Sequence, residues 1–442
     1  MAANPSVQVR EATVIKPAAP TPSHVLPLSA LDSQLFLRFT VEYLFAFKPP
    51  PHHQNVDVAD RIKSALSKIL VPYYPLAGRV RPRPDGGPGL EVVCRAQGGL
   101  FVEAVSDSFE TAEFDGPPKS VRQWRKLLSF QVPDVLKGAP PLVVQLTWLK
   151  DGGATLAVGF NHCLIDGVGG SEFLNSFARL ARAAGAGGGD VVSNLKPKPR
   201  PIWDRHLLDP PAHYLHSVSH PEFGSVPDLC GFAARFSSDK LLTPTSVTFD
   251  RRSQNELKRL AAGPGFTSFE VLAAHVWRSW ARALSLPENQ TLKLLFSVNV
   301  RDRVRPHVPA GYYGNAFVLG CAQASVREIV AGEGGGLGHV AMLVRKAKER
   351  VDGEFVDSVV EEVSRGKAPD SVGVLIVSQW SRLGMERVDF GMGRPVSVGP
   401  VCVDRYCLML PVHGQADGVR VTLAVPNSGA EKYEYLVKSP CS

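Results

Sequence analysis

The sequence predicts a mixed α/β protein built as two domains, on three observations. Period-two apolar stretches suited to strands alternate with amphipathic stretches suited to helices in both halves of the chain. Glycine turns join some of those strands directly, which breaks a purely parallel arrangement. With 442 residues the chain exceeds one ordinary core, and its middle supplies a seam: residues 183–190 are nearly all alanine and glycine, and residues 196–211 are rich in proline. The first segment has no side chains with which to build a core and the second is extended and stiff, so together they mark a crossover. The expected division is an N-terminal domain over residues 1–185, a linker over 186–225 and a C-terminal domain over 226–442.

In chain order, residues 7–14 alternate and predict a strand, after which Pro17, Pro20 and Pro22 keep the backbone extended. Residues 36–47 are apolar enough for a buried strand. Asp57 is placed to cap a helix that carries Val58, Ile62, Leu66 and Ile69 inward and stops at Pro72. Residues 90–94 and 100–104 suit two strands joined around Gly98 and Gly99. Residues 141–149 and 154–160 form a hairpin about Asp151, Gly152 and Gly153. Ser171 is a candidate cap for the next helix, whose Phe173, Leu174, Phe177 and Leu180 share one face. In the second half, strands are expected at 245–249, 293–300, 372–377, 400–410 and 419–425, and helices at 252–260, 267–283, 340–351 and 355–363. The helix over 267–283 is strongly amphipathic, with Phe269, Leu272, Val276 and Trp280 on one stripe.

Composition narrows the function classes. An apolar fraction of 44% and a charged fraction of 21% suit a globular chain, and no stretch approaches the roughly 20 apolar residues of a membrane span. Residues 1–22 lack the basic and apolar regions of a secretory signal, and the C-terminus has no lipid-anchor pattern. Seven cysteines are scattered without a Cys-x-x-Cys pair, against zinc and against a disulfide framework, so a reducing cytoplasm is the expected location. The net charge of +7 is dispersed, with no basic stripe for nucleic acid. A modest positive excess suits a small phosphate-bearing molecule, and equally a generally basic surface.

The stretch 160–170, Phe-Asn-His-Cys-Leu-Ile-Asp-Gly-Val-Gly-Gly, concentrates the chemistry. The hairpin delivers His162 to a strand end, Asp166 follows four residues on, and glycines lead into the helix. A histidine is the side chain best matched to moving a proton near neutral pH. With an alcohol or amine substrate it needs no protein nucleophile; alone, it is equally a packed residue at a strand end. A serine hydrolase would need Gly-x-Ser-x-Gly, and Gly169-Gly170-Ser171 lacks the closing glycine. Cys163 points away from His162 if the segment is extended. One histidine and one carboxylate are two ligands short of a tetrahedral metal site, and residues 167–170 lack the dinucleotide-binding spacing.

Five ordered motifs then make the chain resemble the plant acyl-CoA-dependent acyltransferases called BAHD. His162, Asp166 and Gly167 meet the His-x-x-x-Asp-Gly pattern. Asp389, Phe390, Gly391 and Gly393 meet the second signature, Asp-Phe-Gly-Trp-Gly, with Met392 in place of its tryptophan. Residues 74–79 (Tyr-Pro-Leu-Ala-Gly-Arg), 269–277 (Phe-Glu-Val-Leu-Ala-Ala-His-Val-Trp) and 313–315 (Tyr-Gly-Asn) fit as well, so the resemblance spans almost the whole chain.

The resemblance implies two similar mixed-sheet domains of the chloramphenicol acetyltransferase type, with an active-site channel at their interface and some C-terminal strands returning to the N-terminal sheet. It implies acyl transfer from acyl-CoA, as co-substrate, to an alcohol or amine by direct attack, without an acyl-enzyme. His162 would be the general base, and Ser378 and the Trp380 indole would be donors to the oxyanion. Asp166, Gly167, Arg301, Asp389, Gly391 and Gly393 would be structural, Arg301 pairing with one of the motif carboxylates and more readily with Asp166. Thr267 and Ser268 at a helix start, with Gly314 and Asn315, would hold the CoA arm. No metal and no permanently bound cofactor is implied, and the protein would be a cytoplasmic monomer. Phe36 and Tyr43 would line the acceptor pocket or fill the core. The stretch 27–32 is similar to branches that use aromatic acyl donors, which favours a hydroxycinnamoyl group. Some members have lost the second motif and act as silent accessory proteins, the competing function.

Overall fold

The computed structural model describes residues 6–49, 58–129, 134–185, 197–209, 218–263, 265–331 and 336–439. Asp57 and, of the expected linker, residues 186–196 and 210–217 lie outside them.

The first half contributes β1 (Gln8–Ile15), β2 (His24–Pro27), β3 (Thr40–Phe47), α1 (Val58–Ile69), β4 (Arg79–Pro82), β5 (Leu90–Cys94), β6 (Gly99–Ser106), β7 (Leu142–Leu149), β8 (Ala154–Asn161) and α2 (Gly167–Gly185). Then come α3 (Phe232–Arg235), β9 (Leu242–Phe249), α4 (Arg251–Ala261), α5 (Ser268–Leu284), β10 (Thr291–Asn299), β11 (Phe317–Ser325), α6 (Val326–Ala331), α7 (Leu337–Glu349) and α8 (Gly353–Ser364). The chain closes with β12 (Val374–Gln379), β13 (Ser397–Pro400), β14 (Cys407–Val412), β15 (Gln415–Pro426) and α9 (Ala430–Lys438).

Two six-stranded mixed sheets organise these elements. The first has the order β1-β6-β7-β8-β3-β13 and the second β11-β10-β12-β14-β15-β9. In the first, only β6 and β7 run parallel; in the second, β12 runs parallel to β10 and β14. Alternation along β3 explains the layering: Tyr43, Phe45 and Phe47 face α1 and α2, while Leu44 and Ala46 face Phe109, Phe114 and Trp124 on the other side. The expected inward residues of both helices, Ile62, Leu66 and Ile69 on one and Phe173, Leu174 and Phe177 on the other, all join that core. The second sheet is covered on one face by α4, α5, α7, α8 and α9 around Trp277 and Trp280, which are at most 1% exposed. Although it lies late in the sequence, β13 pairs antiparallel with β3, so the C-terminal half completes the first sheet.

Four expectations change. The strand expected over 36–47 begins at Thr40, because residues 35–37 form a 3-10 turn that sets Phe36 and Phe39 apart from it. The single strand expected over 400–410 is two, β13 and β14, in different sheets: Asp404, Arg405 and Tyr406 turn the chain between them. Residues 90–94 and 100–104 also part company, β5 joining the small sheet β2-β5-β4 and β6 the first large sheet. Finally, Asp166 and not Ser171 caps α2, its carboxylate accepting from Gly169 N at 2.9 Å. The separation of β5 from β6 turns on Gly98, which has φ +93° and would place a Cβ 2.5 Å from the Ile15 carbonyl oxygen. Gly98→Ala should therefore destabilise the fold by more than about 1 kcal/mol in urea unfolding.

Candidate active site

His162 is presented by a turn that begins where β8 ends. Asn161 Oδ1 accepts from Cys163 N at 3.0 Å and His162 N donates to Phe39 O at 2.9 Å, so His162–Leu164 leaves the sheet as one 3-10 turn. The imidazole lies between Phe39, 5.3 Å away ring to ring, and Phe317 of the second sheet, 6.1 Å away. The residue is half-buried, and its Nδ1 is fully buried without a hydrogen-bond partner among the described residues. Burial holds the ring below its ordinary pKa of 6.5; the His162 backbone, the Asp166 charge and the Asn315 side chain push the other way. The neutral, proton-accepting form is thereby favoured. The neighbouring Cys163 thiol donates to Leu37 O, and burial pushes it up to about 12, far from a nucleophilic thiolate.

Asp166 is turned to other partners. Arg301 Nη1 and Nη2 reach its two oxygens at 2.8 and 3.1 Å, and the backbone N–H of Gly169 and of Ala316 donate at 2.9 and 3.2 Å. Four donors saturate a carboxylate that is 4% exposed. Gly167 opens α2 beside Leu383, and Arg301 Nη2 also donates to Gly314 O at 3.3 Å.

A second buried carboxylate, which sequence reasoning did not single out, stands directly behind His162. Asp32 is fully buried and accepts from Ser29 Oγ at 2.7 Å, Arg205 Nη1 at 2.6 Å, and Asn315 N and Nδ2 at 2.8 and 3.0 Å. The same Asn315 Nδ2 donates to His162 O at 2.7 Å, and Arg205 Nη2 donates to Leu164 O at 3.1 Å. Two of the carboxylate's three partners, Arg205 and Asn315, therefore grip the turn that carries the histidine. Gly314 is what admits Arg205, since a Cβ there would lie 2.3 Å from Nη1. The signals available were an aspartate inside the apolar stretch 26–32 and an arginine beside Trp203 in the proline-rich crossover.

The remaining expected site residues fall in three places. Gly314 and Asn315, expected at the CoA arm, are packed into the Asp32 network, with Asn315 fully buried. Thr267 and Ser268 open α5, and a capping box occupies two of the N–H groups there: Thr267 N donates to Glu270 Oε2 at 2.9 Å and Glu270 N to Thr267 Oγ1 at 3.3 Å. Glu270, itself paired with Arg345 and Lys348, already supplies the negative charge. Asp389 accepts from Gly391 N and Gly393 N at 2.8 and 3.1 Å, closing a turn whose Phe390 packs edge-on to Phe177 in the first core. Met392 is 8% exposed in that core, and the turn is complete without a tryptophan. Ser378 lies on β12, and Trp380 packs on Tyr43 at 4.7 Å between ring centres. Tyr43 itself is core, 2% exposed, whereas Phe36 is partly exposed between the two halves. A cavity of about 40 Å³ between Trp124, Pro400 and Arg420 lies on the far face of β3 and contains none of these residues.

A model of the Transferase family matches residues 5–435. The chain belongs to that family, the BAHD acyltransferases. Among relatives of this BAHD protein, taxadien-5-alpha-ol O-acetyltransferase of Taxus chinensis is 32% identical, over 97% of this chain and 95% of the relative. The fatty alcohol:caffeoyl-CoA acyltransferase of Arabidopsis thaliana is 31% identical over 97% of each. Vinorine synthase shares the fold with a TM-score of 0.74 at 20% identity, over 96% of each chain. F. graminearum TRI101, solved with coenzyme A and T-2 mycotoxin, has a TM-score of 0.73 at 16% identity, over 93% of this chain and 97% of that one. The BAHD motifs thus divide by place: one surrounds His162, the other braces the first core.

Replacing Arg205 by methionine would leave Asp32 as an uncompensated buried charge. The expected loss is about 3–5 kcal/mol of unfolding free energy in denaturant titration, with Arg205→Lys recovering only part because one ammonium cannot reach both Asp32 and Leu164 O.

Proposed function

We propose that the protein transfers an acyl group, hydroxycinnamoyl or another aromatic acid, from acyl-CoA to an alcohol or amine, with His162 as general base. The observation that carries the reading is a buried-side imidazole, kept neutral, at the junction of the two sheets with no activated protein nucleophile beside it. Several relatives are named hydroxycinnamoyltransferases, among them those of Narcissus pseudonarcissus and of Oryza sativa. His162 Nε2 takes the acceptor proton as the oxygen or nitrogen attacks the thioester carbonyl; the C–S bond then breaks and the thiolate of CoA recovers that proton. Among the described residues neither the Ser378 hydroxyl nor the Trp380 indole is engaged in a hydrogen bond, which leaves both free to donate to the oxyanion.

Asn315 is the positioning residue for this base. Its Nδ2 is committed to Asp32 and to His162 O, while its Oδ1, like His162 Nδ1, is buried without a hydrogen-bond partner among the described residues. Turned toward the ring, that acceptor would be satisfied by a proton on Nδ1, which leaves the Nε2 lone pair for the substrate. Asp166 and Arg301 act as the tie between the catalytic loop and the second sheet. A monomer in the cytoplasm fits the six unpaired cysteines among the described residues. Nothing at Met392 favours a silent protein, because the Asp389 turn keeps its hydrogen bonds.

Acceptor-dependent release of free CoA from hydroxycinnamoyl-CoA tests the reaction. His162→Ala should lower kcat by at least about 10²-fold with circular dichroism and CoA affinity unchanged, and a near-normal rate would overturn the assignment. Because activity needs the neutral ring and burial lowers its pKa, the acid limb of kcat/KM should have its midpoint below 6.5. Asn315→Ala removes a group that raises that pKa, so it should shift the midpoint further down and lower kcat on the order of 10²-fold.

A further inference from the structure

The face of β3 turned away from α1 and α2 borders a cavity that acyl transfer at His162 leaves unused. Directly paired strand residues share a face, as do alternate residues along one strand. On the first sheet Ala46 is paired with Ser397 of β13, and Leu44 with Gly399; all four line the cavity. On the second sheet Thr422 of β15 is paired with Ser246 of β9, and Arg420 stands two residues before Thr422 on the same face. Phe114 and Trp124, stacked with ring centres 4.6 Å apart, close a third side. The cavity, of about 40 Å³, therefore lies where the C-terminal strands return to the first sheet.

Its polar groups converge and are unspent. Among the described residues the Arg420 guanidinium makes no hydrogen bond or ion pair, and the hydroxyls of Ser246, Ser397 and Thr422 make no hydrogen bond. Arg420 is the single charged side chain in the lining. Burial holds its pKa below the ordinary value, and the Asp115 charge opposes this from beyond ion-pair contact. A guanidinium keeps its proton at neutral pH even so. A half-buried cation is thus left without a partner, a cost that an anion in the cavity would remove. Opposite it, Leu44, Leu410 and the two stacked rings offer apolar surface. One fixed cation, three hydroxyls and an apolar wall are the makeup of a small-molecule pocket.

We propose that this cavity binds a small monocarboxylic acid, its carboxylate on Arg420 with the Ser246 and Thr422 hydroxyls donating to it, and its hydrocarbon part against Trp124 and Leu410. A planar carboxylate matches a guanidinium at two points. The volume corresponds to roughly three waters, enough for the carboxylate and a few carbons, and a longer acid leaves past the exposed Gly116 and Pro117 at the rim. Phosphate would bring a second negative charge to a site with one cation. Because strands of both sheets line the cavity, an acid seated there ties the two halves together and raises the Tm.

The test titrates the full chain, without acyl-CoA, with acetate, benzoate, nitrate and phosphate at matched ionic strength, read by saturation-transfer NMR and by differential scanning calorimetry. Benzoate should bind saturably at one site, at least about tenfold more tightly than acetate, nitrate or phosphate, and should raise the Tm. Arg420→Gln keeps the bulk and removes the charge, so it should weaken benzoate at least about tenfold. Arg405→Gln, at an exposed position in the loop between β13 and β14, should leave binding unchanged, as should His162→Ala. Should Arg420→Gln fail to fold by circular dichroism, Thr422→Val decides, with an expected loss of about fivefold or more. Absence of saturable benzoate binding, nitrate or phosphate binding as tight as benzoate, or benzoate binding that survives in folded Arg420→Gln or in Thr422→Val would each overturn the assignment. Benzoate binding lost in His162→Ala would instead place the acid at the histidine and overturn it as well.

Discussion

A buried carboxylate must be answered by donors or the fold does not form, and in this protein the answer to Asp32 determines where His162 stands. Its side chain is fully excluded from water and draws in Ser29 from its own turn, Arg205 from the crossover and Asn315 from the loop before β11. Those segments are far apart in sequence, and the charge makes them meet at one point. Arg205 and Asn315 then spend their remaining donors on Leu164 O and His162 O. The turn that carries His162 is gripped through its backbone carbonyls, and these contacts do not engage the imidazole.

Asp166 performs a matching task from the other side. It caps α2 and binds Arg301 in a two-point pair, so the helix that follows the histidine and the strand end that bears Arg301 are fixed to each other. For the general-base role proposed for His162 such fixing matters, because that role depends on hydrogen-bond distance to an atom that the protein does not hold covalently. The carboxylate nearest in sequence to His162 is thus a strut, and Asn315 holds the turn through the His162 backbone carbonyl.

Much of this was legible beforehand, and the boundary follows the range of the interactions. Strong local signals placed α2, α4, α5 and the β7–β8 hairpin within a few residues, since caps, glycine turns and apolar stripes act over one or two turns of chain. The ordered motifs identified the loop of His162 and the pairing partner of Asp166. What escaped was settled at long range. No periodicity marks β13 as a member of the first sheet, because only its partner β3 defines the edge it fills. Residues 400–410 were apolar enough to pass for one strand, yet they cross between two sheets. At the helix start, Glu270 caps Thr267 from three residues away, a pairing the apolar stripe of α5 did not announce. Asn315 was expected to meet a ligand, but a carboxylate 283 residues distant in sequence claims it.

The distribution of the site over the chain has a further consequence. His162 and Asp166 belong to the first half, while Arg301, Asn315, Phe317 and Ser378 belong to the second. Neither sheet alone holds both His162 and the groups that bond its turn, so this arrangement exists only where the halves are docked. The strand β13 enforces that docking by backbone hydrogen bonding, with four residues of the second half paired to β3, the strand directly beside β8 and its histidine. A backbone ladder is insensitive to side-chain identity, which is why the Asp389 turn leading into β13 can exchange a signature tryptophan for Met392 and still deliver the strand: the turn depends on two N–H donors to one carboxylate, and the core requires only that the space be filled.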